Sequence, residues 1–334
     1  MSNFIKRLFF LALITPFTIF SYEFSAMTLN VDNLFDTLDD IKKDDKAYLP
    51  IQFKQSDAHK KSCNRIRVNS WKNECLFLDW NEDTKNAKLR NIANSIISYG
   101  SNGPDIIALQ EVENNNILNQ LLELLRPYGF VDSVLIEGKD YRGIDTALIT
   151  KFKILDSKLH YIKFSGEFEG KDTRPILDAT LEINGEKIKI YNVHFPSGFH
   201  DVSMRVDSLN VLSKLLNSHD YPTIALGDFN VNTKEDNQLD IYQSQEAFWS
   251  VAHIFGCKDC KGSFYYNYGK TWEFLDTIFL SKDRDILYIK DSIDIYRTKS
   301  NSYSDTGKPK NFNPTKKYGV SDHLPMVAKF RIIN

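Results

Sequence analysis

Thr223-Ile224-Ala225-Leu226-Gly227-Asp228-Phe229-Asn230 reads as a short apolar strand that runs straight into polar side chains. A lone Asp at the end of a strand is most often a turn or helix cap. Here the arrangement recurs along the chain. Ile106 to Gln110 (IIALQ) ends on Glu111, Asp276 lies against the apolar run TIFL, and Asp322 with His323 precedes LPMVAKF. Single carboxylates and a histidine set at separate strand ends can converge on one point, as a site for a hard cation and a phosphate requires, because Mg2+ keeps several waters and takes only one or two carboxylates.

Outward from these runs, strand-like segments recur at Met27 to Val31, Thr146 to Thr150, Ile176 to Ile183, Lys187 to Val193 and Met326 to Ile332. Helical periodicity predicts helices over Thr84 to Tyr99, Asn115 to Leu125 and Val202 to Leu216, and NGEK at 184–187 predicts a hairpin turn. Strands and helices interspersed in this way, with a hairpin, predict an α/β protein with a mixed sheet. No fixed-period repeat or linker divides the chain, so a single domain is expected over 27–334, with insertions at about 37–83, 240–270 and 297–318.

With 334 residues and 42 % hydrophobic content the chain can bury a large core. A net charge of −2 excludes a globally basic nucleic-acid binder and moves any such binding to local patches. Two patches qualify. Lys54 to Lys72 and Arg297 to Lys317 each carry six Lys or Arg against one Asp, with Trp71, Tyr303, Phe312 and Tyr318 nearby, and the bland alternative for each is a solvated loop. Lys6 and Arg7 followed by apolar Leu8 to Phe20 predict an export signal over 1–26, an uncleaved anchor being the alternative. The expected location is therefore the periplasm or the medium, with no stable membrane association after cleavage. In that oxidising compartment Cys63, Cys75, Cys257 and Cys260 are expected to form two local disulfides. Three connectivities stay open, as does a structural zinc site.

In order, LNVDN, LQEVE, NVHFPSG, GDFN, LDTIF and SDHLP resemble the endonuclease/exonuclease/phosphatase superfamily, over about Met27 to Arg331. The resemblance implies a four-layer α/β sandwich, two packed mixed β-sheets flanked by helices, with the site at one sheet edge. It implies metal ligands at Glu111, Asn30 and Asp322, a water-orienting Asp228 with Asn230 as its phosphate-side partner, and a phosphate-donating His323 held by Asp276. His194 stands where deoxyribonuclease-like members have histidine, which implies a general acid or phosphate donor, with Asp145 as its acidic partner. Arg142, Arg174 and Arg205 are candidate phosphate clamps, surface ion pairs being the alternative for each.

The activity expected is a secreted, Mg2+-dependent phosphodiesterase, with Mn2+ or Ca2+ as alternative ions, acting as a monomer on DNA or RNA. A phosphatase or phospholipase acting on phosphoinositides or sphingomyelin is the runner-up, since substrate choice resides in loops. A non-catalytic subunit retaining only the fold is the third reading.

Overall fold

Strands that are apolar on both faces have to be covered twice, and this chain covers them by stacking two sheets between helices. The computed structural model describes residues 21–333 except 258 and 283, so residues 1–20 of the expected export signal lie outside the described residues. The first sheet has seven strands: β1 (Tyr22–Leu34), β2 (Ile106–Val112), β3 (Asp132–Leu135), β4 (Asp145–Thr150), β13 (Ile286–Tyr288), β14 (Asp294–Ile295) and β15 (Met326–Ile332). Its order is β13-β15-β1-β2-β4-β3, with β14 beside β15. The second runs β5-β6-β7-β8-β12-β9, built from β5 (Lys153–His160), β6 (Ile176–Ile183), β7 (Glu186–His194), β8 (Thr223–Asp228), β9 (Trp249–Val251) and β12 (Asp276–Ser281). A small ribbon pairs β10 (Phe264–Tyr266) with β11 (Thr271–Glu273).

Alternation along β1 shows how the layers arise. Phe24 and Ala26 enter the core shared by the two sheets, with Ile106 and Ala108 from the first and Leu181, Ile190, Ile224 and Ile278 from the second. Met27 and Leu29 turn to the outer face, under α3 (Glu82–Ile97) and α4 (Asn115–Leu125). On the opposite side Tyr191, Val193 and Ala225 pack under Leu209, Leu212 and Leu216 of α5 (Val202–Leu216). The result is the expected four-layer sandwich of two mixed sheets.

The boundary expected at 27 moves. β1 begins at Tyr22 and pairs with β15 from Tyr22 opposite Ile332 to Thr28 opposite Met326, so residues 22–26 belong to the folded domain. Their small side chains resemble a cleavage region, but Ser25 and Ala26 are buried strand positions. The 37–83 insertion also differs from a solvated basic loop: it folds α1 (Asp57–Cys63) and α2 (Asn69–Phe77), joined by the Cys63–Cys75 disulfide. Ser56 caps α1 by accepting the amide of His59. Lys54 is buried and donates Nζ to the carbonyls of Ala47, Glu74 and Leu78, which removes it from any phosphate-binding face. Cys257 and Cys260 form the second disulfide, so all four sulfurs are spent on each other and none is left for zinc. Among the described residues, no helix is long and apolar enough to cross a membrane.

Candidate active site

Topology brings the polar strand ends together. β1 and β2 are parallel and end at one edge of the first sheet, and β7 and β8 are parallel and end at the corresponding edge of the second. β12 is antiparallel to β8, which sets Asp276 opposite Asp228, and β15 is antiparallel to β1, which returns Asp322 and His323 to the same edge. β7 and β8 can approach only because residue 227 is glycine: at φ 146°, a Cβ there would lie 2.1 Å from the Val193 carbonyl oxygen.

Both central strands of the first sheet break their register at this edge, β1 between Asn30 and Leu34 and β2 between Gln110 and Val112. Asp32, Asn33 and Glu111 adopt positive φ (52°, 63° and 66°), a conformation L-residues rarely hold without compensation. The bulges re-aim side chains that a regular pleat would direct elsewhere. Glu111 gains the amide of Asn33 on Oε2 at 3.0 Å and presents Oε1 3.8 Å from His194 Nε2.

Asp228 is held from two sides. Its Oδ2 accepts Asn30 Nδ2 from the other sheet at 3.1 Å, and its Oδ1 accepts the amide of Asn230 at 2.9 Å. Burial and the neighbouring Asp276 push its carboxyl well above the ordinary range, against the pull of His323 and Asn30. Asn230 donates Nδ2 to the Phe195 carbonyl, so only part of its side-chain amide remains for other contacts. Asn30 accepts the amide of Asp32 on Oδ1, the atom a metal would need.

His323 and Asp276 form the tightest pair, Nδ1 to Oδ2 at 2.6 Å. Burial alone would favour neutral imidazole, but Asp276, Asp322 and Asp228 together raise the His323 pKa well above its usual value, which favours the imidazolium form. Two serines brace it. Ser263 donates its hydroxyl to Asp276 Oδ2 at 2.7 Å, and Ser321 accepts the amide of His323 while donating to the Asn30 carbonyl.

His194 is the opposite case. Burial first, then Arg174, Arg142 and His323, lower its pKa although the carboxylates of Asp228 and Glu111 lie 3.6 Å and 3.8 Å away, which favours the neutral ring. The expected partner is not there. Asp145 Oδ1 accepts the amide of Gly138, and His194 Nδ1 is buried with no hydrogen-bond partner among the described residues. The acidic residue at the start of β4 braces its own loop instead.

The arginines also separate. Arg205 pairs with Glu235 and donates to the carbonyls of Pro196, Ser197 and His200, so it is a buried loop brace rather than a phosphate clamp. Arg174 spends its guanidinium on the carbonyls of His194 and Phe195 and on Asp140, and it too supports the site from behind. Arg142 is half-exposed, 4.0 Å from Asp140, and keeps a head group available to a ligand.

Lys88, Ser263, Ser321 and Asn33 were not singled out in the sequence. Lys88 had a signal: Lys85 and Lys88 share the buried face of α3 with Ile92 and Ile96, where a cation is out of place. Its Nζ donates to the Asp32 carbonyl, and it sits among the charges of Asp32, Glu111 and Asp322. The donor set suits a hard divalent cation. Asp322 is driven upward by burial, Asp32 and Glu111, a repulsion that His323 and Lys88 only partly relieve and that a cation bound by these oxygens would remove.

A profile of the Endonuclease/Exonuclease/phosphatase family matches residues 77–331. The chain belongs to this family. As a family member it shares its fold with an endonuclease/exonuclease/phosphatase family protein from Bacteroides thetaiotaomicron (16 % identity, TM-score 0.57, covering 94 % of this chain and 99 % of that one). D. rerio TDP2 complexed with single strand DNA product is similar at 16 % identity and TM-score 0.55, covering 92 % of this chain and 98 % of that one. The human Nocturnin catalytic domain with bound sulfate anion follows at 18 % identity and 0.54, covering 92 % and 94 %. No curated protein matches the sequence. An endonuclease/exonuclease/phosphatase family chain is a hydrolase, and its family commonly uses divalent metal ions.

Proposed function

We propose that this hydrolase is an exported, Mg2+-dependent phosphodiesterase that cuts nucleic acid, and that the residues around Asp228 perform in-line hydrolysis. The observation that carries the proposal is geometric: His323 Nδ1 on Asp276 Oδ2 at 2.6 Å, clustered within 4.8 Å of the Asp228 carboxylate, whose pKa burial and Asp276 push upward toward that of a base. That is an arrangement for a reaction that takes a proton from water and builds negative charge on phosphate. A D. rerio TDP2 of the same fold has been solved with a single strand DNA product, which supports nucleic acid as the substrate class.

In this reading Asp228, oriented by Asn30 and the Asn230 amide, accepts the proton of the attacking water. His323 donates Nε2–H to a non-bridging oxygen as charge gathers there, its Nδ1 fixed by Asp276. His194, being neutral, donates or accepts a hydrogen bond beside Asp228 and Glu111 rather than serving as a pre-charged acid. Glu111 and Asp322, with Asp32 added and Asn30 turned toward Asp228, would hold the metal, which when bound neutralises phosphate charge. Arg142 remains the candidate substrate-side cation.

Purified protein incubated with plasmid, single-stranded DNA and RNA in Mg2+, Mn2+ or Ca2+ tests this. Cleavage should vanish in EDTA and in Glu111→Ala. Absence of cutting with every ion, together with phosphate release from phosphoinositides or phosphocholine release from sphingomyelin, would replace the nuclease reading with the lipid one.

A further inference from the structure

Beside the catalytic edge, between α3 and the 297–319 segment, lies a recess of about 430 Å3 lined by Asn91, Lys299, Tyr303, Lys310, Lys317 and Tyr318, with no acidic residue in its lining. We propose that this recess is a second binding subsite, holding a stretch of single-stranded polynucleotide whose scissile phosphate lies at His323 and Asp228. This rests on the nuclease reading and adds where the strand runs.

Its walls are built rather than loose. Asn301 is buried and donates Nδ2 to Ser95 Oγ on α3 and to the Tyr296 carbonyl. Isolated bridges join Ser302 to Pro309 and Asn313 to Tyr318, and the Val320 amide donates to the Lys310 carbonyl. Asn91 ties the floor to α3 by donating to the carbonyls of Lys317 and Gly319. Gly319 has φ 84°, and a Cβ there would lie 2.0 Å from the Asn311 carbonyl oxygen, so the backbone closes tightly at the end of the recess nearest the catalytic loop.

Chemistry and distance then agree. The Lys310 Nζ donates to the Lys299 carbonyl at 2.7 Å and lies 5.1 Å over the Tyr303 ring, and Lys317 pairs with the exposed Asp83 at 3.8 Å, an ion pair of small worth in water. Three ammonium groups beside two exposed phenol rings match a strand that offers phosphates and unstacked bases at once. Duplex DNA would not present its bases to those rings. From Gly319 to Asp322 the chain can span at most about 11 Å, which a strand crosses in a few nucleotides at roughly 3.4 Å or more each. Lys88 and Asn91 stand one turn apart on α3, one facing the carboxylates and the other lining the recess.

The test measures binding of a labelled single-stranded oligonucleotide across a salt series in EDTA, and Mg2+-dependent hydrolysis of bis(p-nitrophenyl) phosphate. Lys299→Gln with Lys317→Gln should lower affinity and reduce the salt slope by about 1.4, roughly 0.7 per lost phosphate contact. Tyr303→Ala with Tyr318→Ala should weaken binding about thirtyfold or more with the slope unchanged. Hydrolysis of the small diester, which is too short to reach the recess, should match wild type in both. Wild-type affinity and slope in both double variants, while wild type cuts DNA or RNA, overturn the subsite and leave the nuclease reading standing. A wild type that neither binds nor cuts any polynucleotide overturns both. Lysine-dependent binding to phosphatidylserine vesicles without oligonucleotide binding overturns the subsite in favour of a membrane surface.

Discussion

Asp228 illustrates how much one carboxylate here depends on its neighbours. Burial and Asp276 push this acid toward its protonated form, and the donors on its oxygens and the neighbouring His323 pull it back. Asp228→Asn keeps both oxygen-side geometries in part and removes the base. Turnover should fall about 10³-fold on nucleic acid while the melting temperature stays at or slightly above the wild-type value, because a charge repulsion disappears with the activity. A parallel loss of folding, seen by thermal denaturation, would assign Asp228 to structure. Glu111, Asp228, Asn230, Asp276, Asp322 and His323 were legible as residues because each borders an apolar run, and Asn30 and His194 only through the resemblance carried by LNVDN and NVHFPSG. Their partners were not: Ser263 lies 13 positions before Asp276 in a segment with no pattern of its own, and Asp145 matched a motif position while pointing its oxygen at Gly138.

At the scale of elements, the site depends on how closely β7 and β8 approach and on how the 37–83 insertion is pinned. Gly227→Ala should cost at least about 3 kcal/mol, or leave no soluble protein, since the methyl would meet the Val193 carbonyl inside a two-sided sheet with no room to yield. Chemical denaturation compares it with the wild type. Replacing Cys63 and Cys75 by serine should lower stability by about 2 kcal/mol through the freed α1–α2 loop. If denaturation midpoints do not move under reduction, the clip contributes nothing. α4 and α5 were legible from end to end because their apolar stripes are regular. α1 and α2 were not, for their residues are largely polar and their packing rests on a disulfide, on Lys54 and on the insertion's own contacts rather than on an amphipathic face. The bulges of β1 and β2 were equally invisible, since nothing in LNVDN or LQEVE distinguishes a re-aimed strand from a straight one.

For the whole molecule, the first and last strands are neighbours in the centre of one sheet. A chain beginning at Tyr22 should fold, whereas one beginning at Met27 loses Phe24 and Ala26 from the inter-sheet core and five register pairs with β15, and should be recovered unfolded or aggregated. Circular dichroism of the two chains, with mass spectrometry of the first residue of the protein recovered from its host, checks this; a folded chain from Met27 would restore the boundary expected from the sequence. Sheet order as a whole was not legible, because β1 pairs with a strand about 300 positions away and alternation within a strand says nothing about which strand lies beside it.

That pairing also fixes when the catalytic centre exists. The Asn30 carbonyl accepts the hydroxyl of Ser321, and Asp322 and His323 follow on the same segment as it leads into β15. Until β15 pairs with β1, Glu111, His194 and Asp228 stand without His323 beside them. The candidate centre is therefore a product of the whole sandwich rather than of any one motif, and it assembles in the same step that zips β15 against β1.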